Sequence, residues 1–315
     1  METVNQTPNP NCLNIAYIFK TSIGSINGSW TEGNVSTVKK ITTPNGQQIP
    51  YVSGQSLKYQ IRKAWQEMGL SHLLSEVKQA EKKSGVDNTL GEPHNYIDDD
   101  LLGFMIASSG ENRRRTAAVR ASAAIGIFPF RNDRDLGTKS KEKTGGDVGS
   151  GGNIFETEIY YNYFRVNFLI ELDRLGVFQD YELSKTHKGK VESLSLEERR
   201  QRLKYLLNAI ANIWGGGKQS RLLTDMSPKF LVVTLQTAKS PIFLETLTVT
   251  EEEELNTTAI KEVLQGNTNI VQHNFIGVQS GIFKNNVAED LKEFKPDTVQ
   301  NTFNSILNYI DNLVF

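Results

Sequence analysis

The first clear pattern along the chain is an alternation. In CLNIAYIF, residues 12–19, Leu13, Ile15, Tyr17 and Phe19 fall on one side of an extended segment and predict a strand. Small, polar residues follow in TSIGSINGSW, and STVKKITTPNGQQIPYV then predicts a hairpin turning at Thr43-Pro44-Asn45-Gly46. At YVSGQSLKYQIRKAW the period becomes helical. Ser53 is a suitable N-cap, Val52 and Leu57 occupy the two positions of a hydrophobic staple, and Leu57, Ile61, Ala64, Trp65 and Met68 form one apolar stripe. Residues 69–112 are a polar, loosely periodic insertion with one short apolar piece, LLGFMI. In AAVRASAAIGIFPF, residues 117–130, Val119, Ala121, Ala123, Ile125 and Ile127 alternate again and predict a second strand. RNDRDLGTKSKEKTGGDVGSGGN interrupts it, charged and glycine-rich, with little to bury. It reads as an exposed loop or the tip of a projecting hairpin.

A long aromatic strand over residues 154–176 is expected to pair with the preceding one across that projection. SLEERRQRLKYLLNAIANIW is the second core helix: Ser195 and Glu198 make a capping box, and Leu203, Leu206, Leu207, Ile210, Ile213 and Trp214 form its stripe, with Gly215 ending it. FLVVTLQT reads as a buried strand. The remainder predicts a helix led by Glu251–Glu254, a strand in NIVQHNFIGVQSG, and a last helix capped by Asp297 with Val299, Phe303, Ile306, Leu307 and Ile310 inward. Strand, helix, strand, strand, helix, strand is the βαββαβ order of ferredoxin-like and RNA-recognition-motif folds. The expected class is α+β, with an antiparallel four-stranded sheet and two helices on one face.

Composition narrows the functional classes. A chain of 315 residues with 38% hydrophobic and 23% charged residues is an ordinary globular protein of one or two domains. One cysteine, Cys12, excludes an intramolecular disulfide and a cysteine-rich zinc site. No apolar run reaches membrane-spanning length and the polar start is unlike a signal peptide, so a cytoplasmic protein is expected. The net charge of -1 hides a polarity: Arg113–Thr144 holds nine basic and three acidic residues, whereas Glu245–Gln300 holds four basic and ten acidic ones. Any nucleic-acid role must therefore rest on local patches.

Candidate chemistry is sparse. The four histidines, His72, His94, His187 and His273, are scattered without HExxH spacing, so no metal site is assigned, and no cofactor is called for. Asp98–Asp100 reads either as a divalent-ion ligand set or as solvated carboxylates, and Glu251–Glu254 as a favourable helix start. No nucleophile motif is present. GGGKQS lacks the Ser or Thr of a P-loop and leaves a helix rather than a strand. Its glycines with Lys218, Gln219 and Arg221 form either a backbone nest for one phosphate or a helix stop.

The first turn of the 53–68 helix is a stronger candidate. It carries no carboxylate, its free N–H groups attract an anion, Gly54 permits close approach, and Ser53, Gln55 and Ser56 offer neutral donors. Lys58 and Arg62 lie one and two turns on, and a capped helix with a solvated basic side remains the alternative. The triplet Arg113-Arg114-Arg115 and the basic projection point to the same ligand class, a phosphate backbone. Single-stranded RNA is commonly met on the open face of such a sheet. The aromatic signature of a classical RNA-recognition motif is missing, so backbone tracking without base readout is expected.

Taken together, CLNIAYIFKTSIGSINGSW, YVSGQSLKYQIR, RRRTAAVRASAAIGIFPF and ETEIYYNYF resemble the DevR-like autoregulator family, the CRISPR-associated "Cas seven" backbone subunit of type I-B Cascade. The likeness extends over most of residues 12–240. It implies a hand-shaped protein, many copies of which pack helically along one guide RNA (crRNA), with other Cascade subunits and target DNA as further partners. The resemblance makes 12–68 and 113–240 the modified RNA-recognition-motif palm, 69–112 the fingers, 131–153 the thumb and 241–315 an extension packed on the palm. It would place Ser25, Asn27, Ser53, Gln55, Ser56, Lys58 and Arg62 on the guide phosphates and Gly217, Lys218, Gln219 and Arg221 along the groove. Arg113, Arg114, Arg115, Lys139, Lys141 and Lys143 add basic support. Related type III subunits cut RNA with an aspartate after the first strand. Here that loop has only Glu32, so no catalysis is expected.

Overall fold

The computed structural model describes residues 9–78, 87–108, 111–139 and 153–315. The alternating first segment becomes β1 (Cys12–Gly24). β2 (Gly28–Glu32), β3 (Val35–Val38), β4 (Lys40–Thr42) and β5 (Gln48–Val52) lead into α1 (Gly54–Glu67). The polar insertion contributes α2 (Ile97–Leu101) and a hairpin of β6 (Phe104–Ser108) and β7 (Glu111–Arg115). Then come β8 (Val119–Ala121), β9 (Ala124–Gly126), β10 (Arg134–Lys139), β11 (Asn153–Glu158), β12 (Tyr160–Glu171), α3 (Leu196–Ala211) and β13 (Phe230–Gln236). The chain closes with α4 (Thr257–Gly266), β14 (Val271–Val278), α5 (Val287–Asp290) and α6 (Val299–Ile310).

The protein is a mixed α/β structure with a dominant antiparallel sheet in the order β14-β13-β1-β12-β9-β5-β4, with β8 also on β12. β1 is flanked by both later strands, its register with β12 running from Cys12 opposite Glu171 to Thr21 opposite Asn162. Its odd-numbered side chains Leu13, Ile15, Tyr17 and Phe19 pack with Leu57, Ile61 and Trp65 of α1, Leu206 and Ile210 of α3, and Phe303 and Ile306 of α6. The helix starts work as the sequence suggests: Ser53 Oγ accepts the Ser56 N–H, and Ser195 and Glu198 form a reciprocal box.

The opposite sheet face departs from the expectation of an open surface. Ala16 and Ile18 of β1, with Phe230 and Val232 of β13, are buried in a second core built by Phe243, Leu247, Val249, Leu255, Ile260, Leu264, Val287 and Leu291. The segment after β13 therefore covers the face on which RNA was expected to lie. This is why β1 and β13 are buried on both sides.

Other boundaries shift for physical reasons. The long aromatic strand breaks at Ile159, because β11 joins a second sheet (β10-β11-β3-β2) while β12 stays in the first. The 117–130 strand splits at Ser122, whose Oγ accepts the Asn167 N–H at 2.9 Å while its N–H bonds the Asn167 carbonyl. Glu251–Glu254 does not start a helix. It is a turn with Glu253 at φ 63°, and α4 begins later under the Asn256 cap. Thr298, rather than Asp297, caps α6. Met68 lies past the end of α1 and is exposed, and α3 stops at Asn212, leaving Trp214 outside its stripe. No helix among the described residues is long and apolar enough to cross a membrane.

Candidate nucleic-acid interface

Three segments far apart in sequence meet at one end of α1. The β1–β2 loop closes on the helix start, where Asn27 Oδ1 accepts the Ser53 N–H at 2.9 Å. The glycine-rich loop closes on that loop, with Gly217 N–H donating to the Ile26 carbonyl at 2.9 Å. Gly216, at φ 104°, has no room for a side chain: a Cβ there would stand 2.9 Å from Ile26 Cα. From the other side, Lys63 Nζ donates to Gln219 Oε1 at 3.1 Å and lies over the Trp214 ring. Gln55 and Lys218 are exposed at this junction, Ser53 and Ser56 are half-buried, and the first turn of α1 holds no acidic residue. The arrangement offers N–H and amide donors and a lysine to an anion.

Several expected contacts are spent inside the protein. Ser25 is buried. Gly54 seats the helix against the β8–β9 connection, since a Cβ there would be 2.6 Å from the Ala121 carbonyl oxygen. Lys58 Nζ donates to the Leu102 carbonyl, and burial, with Arg120 nearby, lowers its pKa. Arg62 pairs with Asp98 at 2.9 Å and also bonds the Ser75 carbonyl. Neither side chain looks outward as the helix pattern suggested, because the insertion folds back and supplies acceptors.

The arginine triplet divides in the same way, by the alternation of β7. Arg114 is exposed, while Arg113 and Arg115 are buried. Arg113 Nη1 and Nη2 donate to the carbonyls of Gly91 and Leu90. Arg115 forms ion pairs of 2.6 Å with Asp100 and with Glu182. The run Asp98–Asp100 is likewise buried rather than solvated. Asp98 and Asp100 serve Arg62, Arg115 and Arg202, and burial pushes the Asp99 carboxyl above the usual carboxylate range. No sequence signal marked these carboxylates as arginine partners, since the partners lie on other elements.

The basic projection begins as the β10–β11 hairpin, paired from Arg134 opposite Glu158 to Lys139 opposite Asn153. Lys141 and Lys143 lie outside the described residues. Arg221 anchors the hairpin: it bonds Asp135 at 3.0 Å and Thr157 at 3.1 Å and stacks over Phe155. Gly137 is obligatory opposite that ring, because a Cβ would approach it to 2.3 Å. Leu136 and Ile154 share the other, exposed face. Of the expected groove residues Gly217, Lys218, Gln219 and Arg221, Lys218 is the cation outside these internal pairs, and Lys63 joins from the helix while bonded to Gln219 and 3.9 Å from Glu67.

A different constellation was invisible along the chain. Glu92, His94 and His187 bring one ligand atom each within 4.8 Å of one another, and the two imidazole centroids are 4.2 Å apart.

Comparison with known proteins agrees with this architecture. The profile of the CRISPR-associated negative auto-regulator DevR/Csa2 family matches residues 15–254. A CRISPR-associated protein Cas7/Cst2/DevR of Myxococcus xanthus (strain DK1622) is 25% identical over 181 residues, which is 52% of this chain and 60% of that relative. The match thus spans less than two thirds of the relative's length. Among solved structures, a chain of a CRISPR RNA-guided surveillance complex, pre-nicking, superposes with TM-score 0.60 at 12% identity over 95% of this chain and all of its own. A chain of another CRISPR RNA-guided surveillance complex gives 0.54 at 15% identity, covering 95% and 99%. At such identities the structures share the fold. With the family profile covering well over half of its 315 residues, the chain belongs to the CRISPR-associated DevR/Csa2 family.

Proposed function

We propose that this protein is a non-catalytic guide-RNA-binding backbone subunit of a CRISPR surveillance complex of the Cascade kind, type I-B. Copies of it line up along one guide beside other subunits and present the guide for pairing with target DNA. In this reading β13-β1-β12-β9, with α1 and α3, is a modified RNA-recognition-motif palm. Residues 69–112 are the fingers and 131–153 the thumb. The observation that carries the reading is the junction of the 25–27 loop, the first turn of α1 and the 215–221 loop, at the foot of the Arg221-anchored hairpin. Because the outer sheet face is covered, the guide runs along this edge. Asn27, Gln55 and Ser56 and the backbone N–H groups hold phosphate oxygens, with Lys218 and Lys63 supplying charge. Lys58, Arg62, Arg113 and Arg115 act from within by holding the fingers to the palm.

Leu136 and Ile154, exposed on one face of the hairpin, suit contact with the next copy. The absence of an aspartate after β1, where Glu32 is exposed on β2, supports a role without RNA cleavage.

The test is purification without added RNA, followed by sequencing of any bound nucleic acid and sizing before and after ribonuclease. A short-RNA complex of high mass that collapses on digestion is expected. Lys218→Ala should reduce the salt slope of RNA binding by about 0.7, the value for one single-strand phosphate contact. A monodisperse, nucleic-acid-free monomer that ignores guide RNA would overturn the proposal.

A further inference from the structure

We propose that Glu92, His94 and His187 form a zinc site that clips the polar insertion to the segment between β12 and α3. Two imidazole nitrogens and one carboxylate oxygen are a ligand combination suited to Zn2+, which takes tetrahedral N and O donors at about 2.0–2.2 Å and thus sets donor-to-donor edges of about 3.3–3.5 Å. Glu92 Oε2 lies 3.6 Å from His94 Nδ1 and 3.5 Å from His187 Nδ1, so two edges of such a tetrahedron are already near their required length. All three donors lie within 4.8 Å of one another, and rotation of the half-exposed His187 ring closes the third edge.

The second observation is independent of this spacing. The His94 side chain is 9% exposed, and its Nδ1 is buried with no hydrogen-bond partner. An orphaned buried nitrogen costs about 1–3 kcal/mol unless something binds it. A metal seated between it and Glu92 Oε2 removes that cost.

The surroundings hold the donors in place. The Glu92 N–H donates to Asp99 Oδ2 at 2.8 Å. Arg202 donates to the Pro93 and His94 carbonyls at 2.7 and 2.9 Å, fixing the loop backbone. The nearby guanidinium groups are held by other acceptors: Arg202 pairs with Asp100, and Arg113 approaches the far carboxylate oxygen, Glu92 Oε1, while bonding the Leu90 and Gly91 carbonyls. His187 Nδ1 is hydrogen-bonded to Ser184 Oγ at 2.8 Å and to Thr186 Oγ1 at 3.1 Å, contacts that Zn2+ would displace, and Ser184 Oγ, 3.5 Å from Glu92 Oε2, is then placed to hydrogen-bond the ligating carboxylate.

The experiment uses the untagged full chain purified without chelator. Elemental analysis should find about one zinc per chain, and the metal-stripped protein should gain thermal stability on adding Zn2+ and show the visible bands of four-coordinate Co2+ on adding that ion. His187→Ala, at a half-exposed position that leaves the core intact, should weaken Zn2+ binding tenfold or more. His94→Gln should do the same while remaining folded by circular dichroism. Metal-free protein with no Zn2+-dependent stabilisation, or a His187→Ala variant that binds Zn2+ as tightly as the wild type, would overturn the proposal. Neither outcome depends on RNA binding.

Discussion

Arg115 provides the most demanding test of how the fold is held together. Its guanidinium has five N–H donors and uses all of them. Nε donates to the Asp100 carbonyl at 3.0 Å. Nη1 bonds the Val177 carbonyl at 3.0 Å and Glu182 Oε2 at 2.6 Å, and Nη2 bonds Asp100 Oδ1 at 2.6 Å and the Arg174 carbonyl at 2.7 Å. The side chains of Arg115 and Asp100 are fully shielded from solvent and that of Glu182 almost so. Arg115→Ala leaves two carboxylates and three carbonyls in a desolvated space. Arg202 still serves Asp100, and Arg174 lies 3.6 Å from Glu182, so the loss is that of breaking one buried pair network, about 3–5 kcal/mol. For 315 residues at about 2.1 cal/mol/K each, the unfolding entropy is about 0.66 kcal/mol/K, and Tm should fall by about 5–8 °C. Lys has three donors where five are needed, so Arg115→Lys should lose much of the same stability. Arg114→Ala, one residue away but exposed, should shift Tm by less than about 1 °C. Scanning calorimetry of the three variants decides it. An Arg115→Ala variant as stable as the wild type, or an equal loss for Arg114→Ala, would refute the division of β7 into a buried and an exposed face.

Three further outcomes are expected. Gln55→Glu adds a carboxylate to the first turn of α1, which should stabilise the helix by about 0.3–1 kcal/mol yet weaken RNA retention by charge repulsion. Melting and filter binding on the same sample would show the opposed effects, and unchanged RNA retention would remove α1 from the interface. Burial pushes the Cys12 thiol up to about 11 from 9.0, and burial raises Tyr17 and Tyr160 in the same direction. The unfolded chain therefore ionises first, so stability should decline as pH rises from 9 through 11, and Cys12 should resist thiol reagents until unfolding. A flat denaturation midpoint across that range would contradict this. Gly69 and Gly103 have similar left-handed angles, φ 78° and 76°, but only a Cβ on Gly103 meets backbone, 2.5 Å from the Arg115 carbonyl oxygen. Gly69→Ala should cost about 1–2 kcal/mol and Gly103→Ala clearly more, and urea midpoints would reveal equal losses if the contact were unimportant.

Elements governed by neighbours in sequence were legible from the residues. The alternation of β1, the Ser53 and Ser195 caps and the stripe of Leu57, Ile61, Ala64 and Trp65 depend on strand and helix periods, and the structure keeps each of them. The family was legible as well, because its segments recur in order along the chain. Boundaries set by pairing were not: nothing local tells Glu158 and Tyr160 that they enter different sheets.

The sequence by itself determined which residues are basic, amphipathic or turn-forming, and so the class of ligand proposed for them and the order of elements. Tertiary structure alone decided which charges remain available to that ligand. Lys58, Arg62, Arg113 and Arg115 look alike in one dimension to Lys218, yet each of the four meets carbonyls or carboxylates brought in from the folded insertion. The meeting of His94 with His187, 93 positions apart, is of the same kind. Charge and period are properties of a residue and its near neighbours, whereas desolvation and pairing depend on what the rest of the chain places against it.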